Sequence, residues 1–176
     1  MLPKSKTIKP AKSAQEALAS LMRQCARAER ASGDALRLMH RWGVAPQEQQ
    51  QVLKRLIDEK FIDDRRYAEA FVREKTNLSA WGEFKIRAAL RNKGIASEII
   101  DQALRQLADN DSGERLMERL RRKIRTIKYD TAYQLKNKLI RHGLSLGYPT
   151  DKVVECVEKV MKNIKIEEEE CDDIFP

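Results

Sequence analysis

Cysteine, histidine and aromatic residues are scarce in this chain, and it has no long apolar run. The three cysteines, Cys25, Cys156 and Cys171, stand far apart. An odd, widely spaced set argues against both a disulfide framework and a zinc site. Cys25 and Cys156 fall on apolar helical faces and read as small core residues; Cys171 reads as an exposed thiol in a polar tail. The two histidines, His40 and His142, each precede a glycine and read as exposed helix-end residues, where a positive charge suits the dipole. GxSxG, Walker, HExxH and Cys–His arrangements are all missing. The one conspicuous acid pair, Asp63-Asp64, reads as a helix cap. The expectation is a protein without catalysis, metal or cofactor. No stretch approaches the roughly 20 apolar residues of a membrane span, and Met1 to Lys12 lacks a signal peptide's apolar core, so a cytoplasmic protein is expected. Only 7 glycines and 5 prolines interrupt the chain, and no window alternates with a strand's period of two. The fold class is all-α.

What the chain has in excess is positive charge, unevenly placed. Residues 1–60 carry a net +6, residues 61–110 a net +1 and residues 111–166 a net +7, while the last ten residues carry −6. Without that acidic end the body is +14, a field that attracts polyanions.

Glycine spacing supplies the organisation. Gly43-Val44, Gly94-Ile95 and Gly147-Tyr148 each close a helical stretch, at intervals of 51 and 53 residues. Aligned on these glycines, the next helix falls into register: Val52, Leu53, Leu56 and Ile57 match Ala103, Leu104, Leu107 and Ala108, and Cys156, Val157, Val160 and Met161. That is one buried helical stripe, repeated three times. Gly143 offers a rival end for the third copy, but only Gly147 aligns the stripe. The reading is three tandem three-helix repeats forming an elongated curved array. A flexible basic arm (1–13) precedes repeats at 14–60, 61–109 and 110–166, and an acidic disordered tail follows (167–176). Helices are predicted over 14–31, 33–43 and 46–60; 64–77, 80–93 and 97–108; and 112–127, 130–146 and 150–163.

The candidate contact residues are basic. In the second copy they are Lys85, Arg87, Arg91 and Lys93, beside the inward Ile86, Ala89 and Leu90. In the third they are Arg119, Arg121, Arg122, Arg125 and Lys128 on one helix, then Lys136, Lys138 and Arg141 on the next. Arginine at this density favours phosphate through its planar fork. Trp81 has two readings, a cap on the local core or an exposed aromatic anchor. Trp42 reads as packed between helices.

The segment Phe61-Ile62-Asp63-Asp64-Arg65-Arg66-Tyr67-Ala68-Glu69-Ala70-Phe71-Val72, followed by Trp81-Gly82, Ile86-Arg87, Leu90-Arg91 and Lys93-Gly94-Ile95, closely resembles the RecX family. These bacterial regulatory proteins act on the RecA recombinase. The match is clear over about 61–108 and looser over 14–163. Trp81, Gly143 and the acidic tail depart from the family pattern. The resemblance implies tandem three-helix repeats and binding within RecA–DNA filaments. It further implies modulation, usually inhibition, of recombinase and co-protease activity, and so a role in DNA repair, recombination and the SOS response. The partners expected are the RecA filament and single- or double-stranded DNA, with the chain a monomer. The rival readings are a direct DNA binder using its tri-helical units like helix-turn-helix modules, and a helical scaffold for an acidic protein. For the first rival the base-reading positions would be Gln47, Glu48, Glu98, Asp151 and Lys152, where acids dominate.

Overall fold

In the computed structural model the three register glycines, Gly43, Gly94 and Gly147, have φ of 74°, 81° and 87°. This left-handed conformation closes a helix cheaply only when no Cβ is present. Residues 11–105 and 112–172 are described, the side chains of 163–172 excepted. Among them every regular element is an α-helix: α1 (Ala14–Cys25), α2 (Ser32–Arg41), α3 (Pro46–Asp58), α4 (Asp64–Ser79), α5 (Glu83–Asn92), α6 (Ser97–Arg105), α7 (Ser112–Ile124), α8 (Ala132–Ser145) and α9 (Thr150–Asp172). The fold is all-α and built of tandem three-helix repeats.

Three details differ from the sequence reading. Helix α1 ends at Cys25, six residues early. Arg27 and Ala28 both donate to the Gln24 carbonyl, at 3.1 and 3.2 Å, and Ala31 is fully buried as the N-cap of α2. Tertiary burial of Ala31 thus outweighs the good helix propensity of residues 26–31. Lys12 and Ser13 are held in place: Lys12 N donates to Trp42 O at 2.9 Å, its ammonium lies 3.9 Å from the Trp42 ring centre, and Ser13 forms a capping box with Glu16. Helix α9 continues to Asp172, through glutamates that are good helix formers, instead of ending near 163. Residues 1–10 and 173–176, with Leu107 and Ala108 of the expected stripe, lie outside the described residues.

The chain divides into two compact units, residues up to 68 with 90–100, and 69–89 with 101 onward. In the first, α3 packs against α1 and α2 around Leu21, Met39 and Leu56, all fully buried. Val52 and Leu53 join this core, whereas Ile57 is 41% exposed and lines a hollow with Ile99. The acid pair is structural. Asp63 Oδ1 accepts from the amides of Arg65 and Arg66 at the start of its own helix (3.0 and 3.1 Å). Asp64 reaches back to Ser32, accepting from its amide at 2.8 Å and its hydroxyl at 2.5 Å, and so caps α2 from another repeat.

In the second unit α7, α8 and α9 pack on one another around Leu116, Leu120, Leu135, Leu139, Val153 and Val157. Gly143 does not break α8. It is buried within the helix, and a Cβ there would come 2.7 Å from Val153 Cγ1. The glycine therefore lets α8 and α9 approach closely, and Gly147 remains the helix end.

Each unit also contains one joint between successive repeats, and the two joints match. In the first, Gly33 in the opening turn of α2 lies against Lys93 and Gly94. A Cβ on Gly33 would overlap the Lys93 carbonyl oxygen and stand 2.8 Å from its carbon. In the second, Gly82 lies against Gly147, where a Cβ would be 2.5 Å from the Gly147 carbonyl carbon and 2.7 Å from Tyr148 N. A basic side chain completes each joint: Arg37 Nη1 donates to Asn92 O at 2.8 Å and Lys85 Nζ to Ser145 O at 2.9 Å. Both acceptors stand two residues before a helix-closing glycine, where carbonyls lack helical partners and the dipole favours a cation.

Candidate nucleic-acid interface

The four second-copy candidates were expected to project to solvent as contact residues, and three of them are engaged internally. Lys85 belongs to the Gly82–Gly147 joint and lies 4.7 Å from the Trp81 ring centre. Arg87 bridges Glu83, at 2.9 Å, and Asp101; its hydrogen bonds to these acids raise its pKa further. Lys93 Nζ lies 2.8 Å from Asp34, and that hydrogen bond raises the lysine pKa. On Asp34 burial alone would raise the carboxyl, but the hydrogen bonds from Lys93 and Arg37 prevail and hold it below the usual range. Only Arg91 is exposed without an ion pair among the described residues. The difference arises because the deciding ties, Lys85 to Ser145, Arg87 to Asp101 and Lys93 to Asp34, join residues 14 or more positions apart, beyond the reach of helical periodicity.

Trp81 is half-buried against the third-repeat core. Phe71 meets its ring edge-on at 6.3 Å, and Lys75 and Lys85 lie over it. The core reading fits this packing better than an exposed anchor does.

The third-copy candidates divide differently. Arg119, Arg121, Arg125 and Arg141 are exposed and carry no ion pair among the described residues. Arg122 pairs with Glu118 at 2.8 Å and Lys136 with Glu158 at 3.3 Å. Both are surface pairs, worth less than about 1 kcal/mol, so either cation can turn to a phosphate at little cost. Lys138 donates to the Lys128 carbonyl at 2.5 Å and ties the loop after α7 to α8, while the Lys128 side chain stays exposed.

His142 is where the sequence reading was wrong. It is half-buried, and its Nε2 is enclosed without a hydrogen-bond partner. Burial, then Lys123, Arg119 and Lys85, lowers its pKa. Three cations from α5 and α7 therefore act on one imidazole. The first unit holds a further basic feature that periodicity did not single out, an open cleft of about 750 Å³ lined by Arg30, Asp34, Arg37, Arg41, Gln49 and Lys93. There Arg30 Nε is also enclosed without a partner. At the rival's base-reading positions Glu48, Glu98 and Asp151 occupy first helical turns, and Lys152 is hydrogen-bonded to Ser112.

Among known proteins, a family model described as the RecX second three-helix domain matches residues 63–104. A regulatory protein RecX of Trichlorobacter lovleyi is 31% identical over 117 residues, which cover 65% of this chain and 76% of that protein. The chain belongs to the RecX family. A regulatory protein RecX of Clostridium botulinum is 31% identical over 108 residues, 60% of this chain and 50% of that protein. The chain thus spans about half the length of the Clostridium botulinum relatives it matches. The crystal structure of RecX from Lactobacillus salivarius superposes with a TM-score of 0.71 at 20% identity, covering 84% of this chain and 96% of that one, which supports the fold.

In RecX terms, the matched segment begins at the capping Asp63 and includes Gly82 and Gly94, one glycine from each joint. Arg119, Arg121, Arg125 and Arg141, without ion pairs among the described residues, lie beyond it. None of the helices is long and apolar enough to cross a membrane among the described residues.

Proposed function

We propose that this RecX-family protein is a regulator that binds RecA–DNA filaments and restrains recombinase and co-protease activity. The carrying observation is a set of exposed arginines without ion pairs among the described residues: Arg119 and Arg121 on α7, Arg125 just past its end and Arg141 on α8. Guanidinium groups held on rigid helices and already freed of carboxylates meet phosphate or acidic protein surface without first breaking an ion pair. Arg122, Lys128 and Lys136 adjoin them and extend the surface. Lys85, Arg87 and Lys93 serve instead in the internal packing of their own units.

The test is a charge-reversed Arg121/Arg122/Arg125 variant, assayed for suppression of RecA ATP hydrolysis on single-stranded DNA. Suppression should weaken markedly. The slope of binding against log salt should fall by about 0.7 for each single-strand phosphate that the variant no longer neutralises. A variant that suppresses hydrolysis normally would remove this face from the mechanism.

A further inference from the structure

The turn after α7 and the first turn of α8 present aromatic rings to solvent within a basic stretch of the chain. Tyr133 is 75% exposed and Tyr129 39%. Both lie within residues 121–133, a stretch with five basic residues and one acid, a net +4. The other tyrosines for which burial is described, Tyr67 and Tyr148, are half-buried and buried. Neither Tyr129 nor Tyr133 belongs to the packed core of its unit, so core packing does not account for a ring at either position.

The turn is also held in one shape. Lys138 Nζ donates to Lys128 O at 2.5 Å, Thr126 Oγ1 to Lys123 O at 2.9 Å, and Asp130 N to Gln134 Oε1 at 3.1 Å. Thr131 caps α8 by accepting from Gln134 N at 3.2 Å. Rings on a turn fixed in this way lose little freedom on binding. Arg121 and Arg125 stand one helical turn apart, without ion pairs among the described residues, and the exposed Lys128 side chain lies between Arg125 and Tyr129 in the chain.

We infer that this turn is a binding site for single-stranded DNA, with Tyr129 and Tyr133 stacking on bases and Arg121, Arg125 and Lys128 meeting the backbone phosphates. The residue types select the ligand. Phosphate alone would call for the cations without the rings, and a duplex keeps its base faces stacked and closed to them. A single strand offers both a polyanion and free π-faces. The inference deepens the filament-binding reading by naming the strand and the residues that contact it. Its test omits RecA, so failure of the regulatory reading leaves it standing.

The experiment measures fluorescence anisotropy of full-length protein with a labelled thymidine 30-mer and with an abasic strand of the same length. The proteins are wild type, Y129S/Y133S, Y129F/Y133F and R121E/R125E. Stacking predicts that wild type prefers the base-bearing strand, that the serine pair loses about tenfold or more on that strand and little on the abasic one, and that the phenylalanine pair retains affinity. The arginine pair should weaken binding to both strands and flatten the salt dependence. Circular dichroism of the serine pair should match wild type, because both rings are exposed. Equal binding of wild type and the folded serine pair to the thymidine strand overturns the proposal. So does a serine pair that binds DNA normally but fails only on assembled RecA filaments, an outcome that makes the turn a protein contact.

Discussion

Replacing Gly82 by alanine tests whether the repeats are locked through close glycine contacts. Gly82 is not among the glycines with positive φ, so alanine meets no backbone strain, and the perturbation is one methyl group. Its Cβ would stand 2.5 Å from the Gly147 carbonyl carbon and 2.7 Å from Tyr148 N. Both are backbone atoms with no rotamer to turn away. The joint must open, which endangers three hydrogen bonds: Gly82 N to Leu146 O at 2.7 Å, Phe84 N to Gly147 O at 3.1 Å, and Lys85 Nζ to Ser145 O. At about 0.5–1.5 kcal/mol each, and offset by about 0.4–1 kcal/mol from the reduced freedom of the unfolded chain, the net loss is about 2–3 kcal/mol. For a domain of this size that lowers Tm by about 5–10 °C. Thermal and urea unfolding should show it, and amide exchange should quicken at Gly82 and Phe84. Gly113→Ala is the control, because its Cβ would lie 3.6 Å from the flexible Lys152 Cε; it should be neutral or stabilise by about 0.5 kcal/mol through helix propensity. A Gly82→Ala protein that melts within about 1 °C of wild type would refute the glycine-joint account.

Asp34→Asn should cost about 1 kcal/mol by removing the partner of Lys93 and Arg37. Because the Asp34 pKa is lowered in the folded state, its contribution is present above the ordinary carboxyl value of about 3.9 and lost as pH falls below it; urea midpoints of the two proteins should converge as pH falls below about 3.9, and a constant gap would contradict the assignment. The folded pKa of His142 is also lowered, so its neutral form stabilises the fold above the ordinary imidazole value of about 6.5, and that contribution is lost as pH falls below it. Wild type should therefore lose more stability than His142→Gln below that value, and imidazole NMR shifts should titrate below the ordinary value; a normal titration would show that burial and the three cations do not act on it. Finally, we propose that the acidic end competes with DNA for the basic body. Deleting residues 167–176, which carry −6 against +14, should tighten DNA binding more at low salt than at high salt, and an equal effect at both would count against competition.

The sequence by itself determined the helices, their three-fold register and the family. Those properties are local: apolar spacing marks a helical face, and a glycine past a helix end supplies a conformation that other residues adopt at a cost. The choice of Gly147 over Gly143 came from aligning Cys156, Val157 and Val160 with their counterparts, and all three are buried. Tertiary structure decided which charges are available. By residue type and spacing Lys85, Arg87 and Lys93 look like Arg121 and Arg125. Their partners Ser145, Asp101 and Asp34 lie 60, 14 and 59 residues away, and no helical period links such positions. Folding likewise half-buried His142 near three cations, packed Trp81 against the core and left Tyr129 and Tyr133 exposed. Periodicity places a side chain on a face of its own helix, but only packing settles what that face meets.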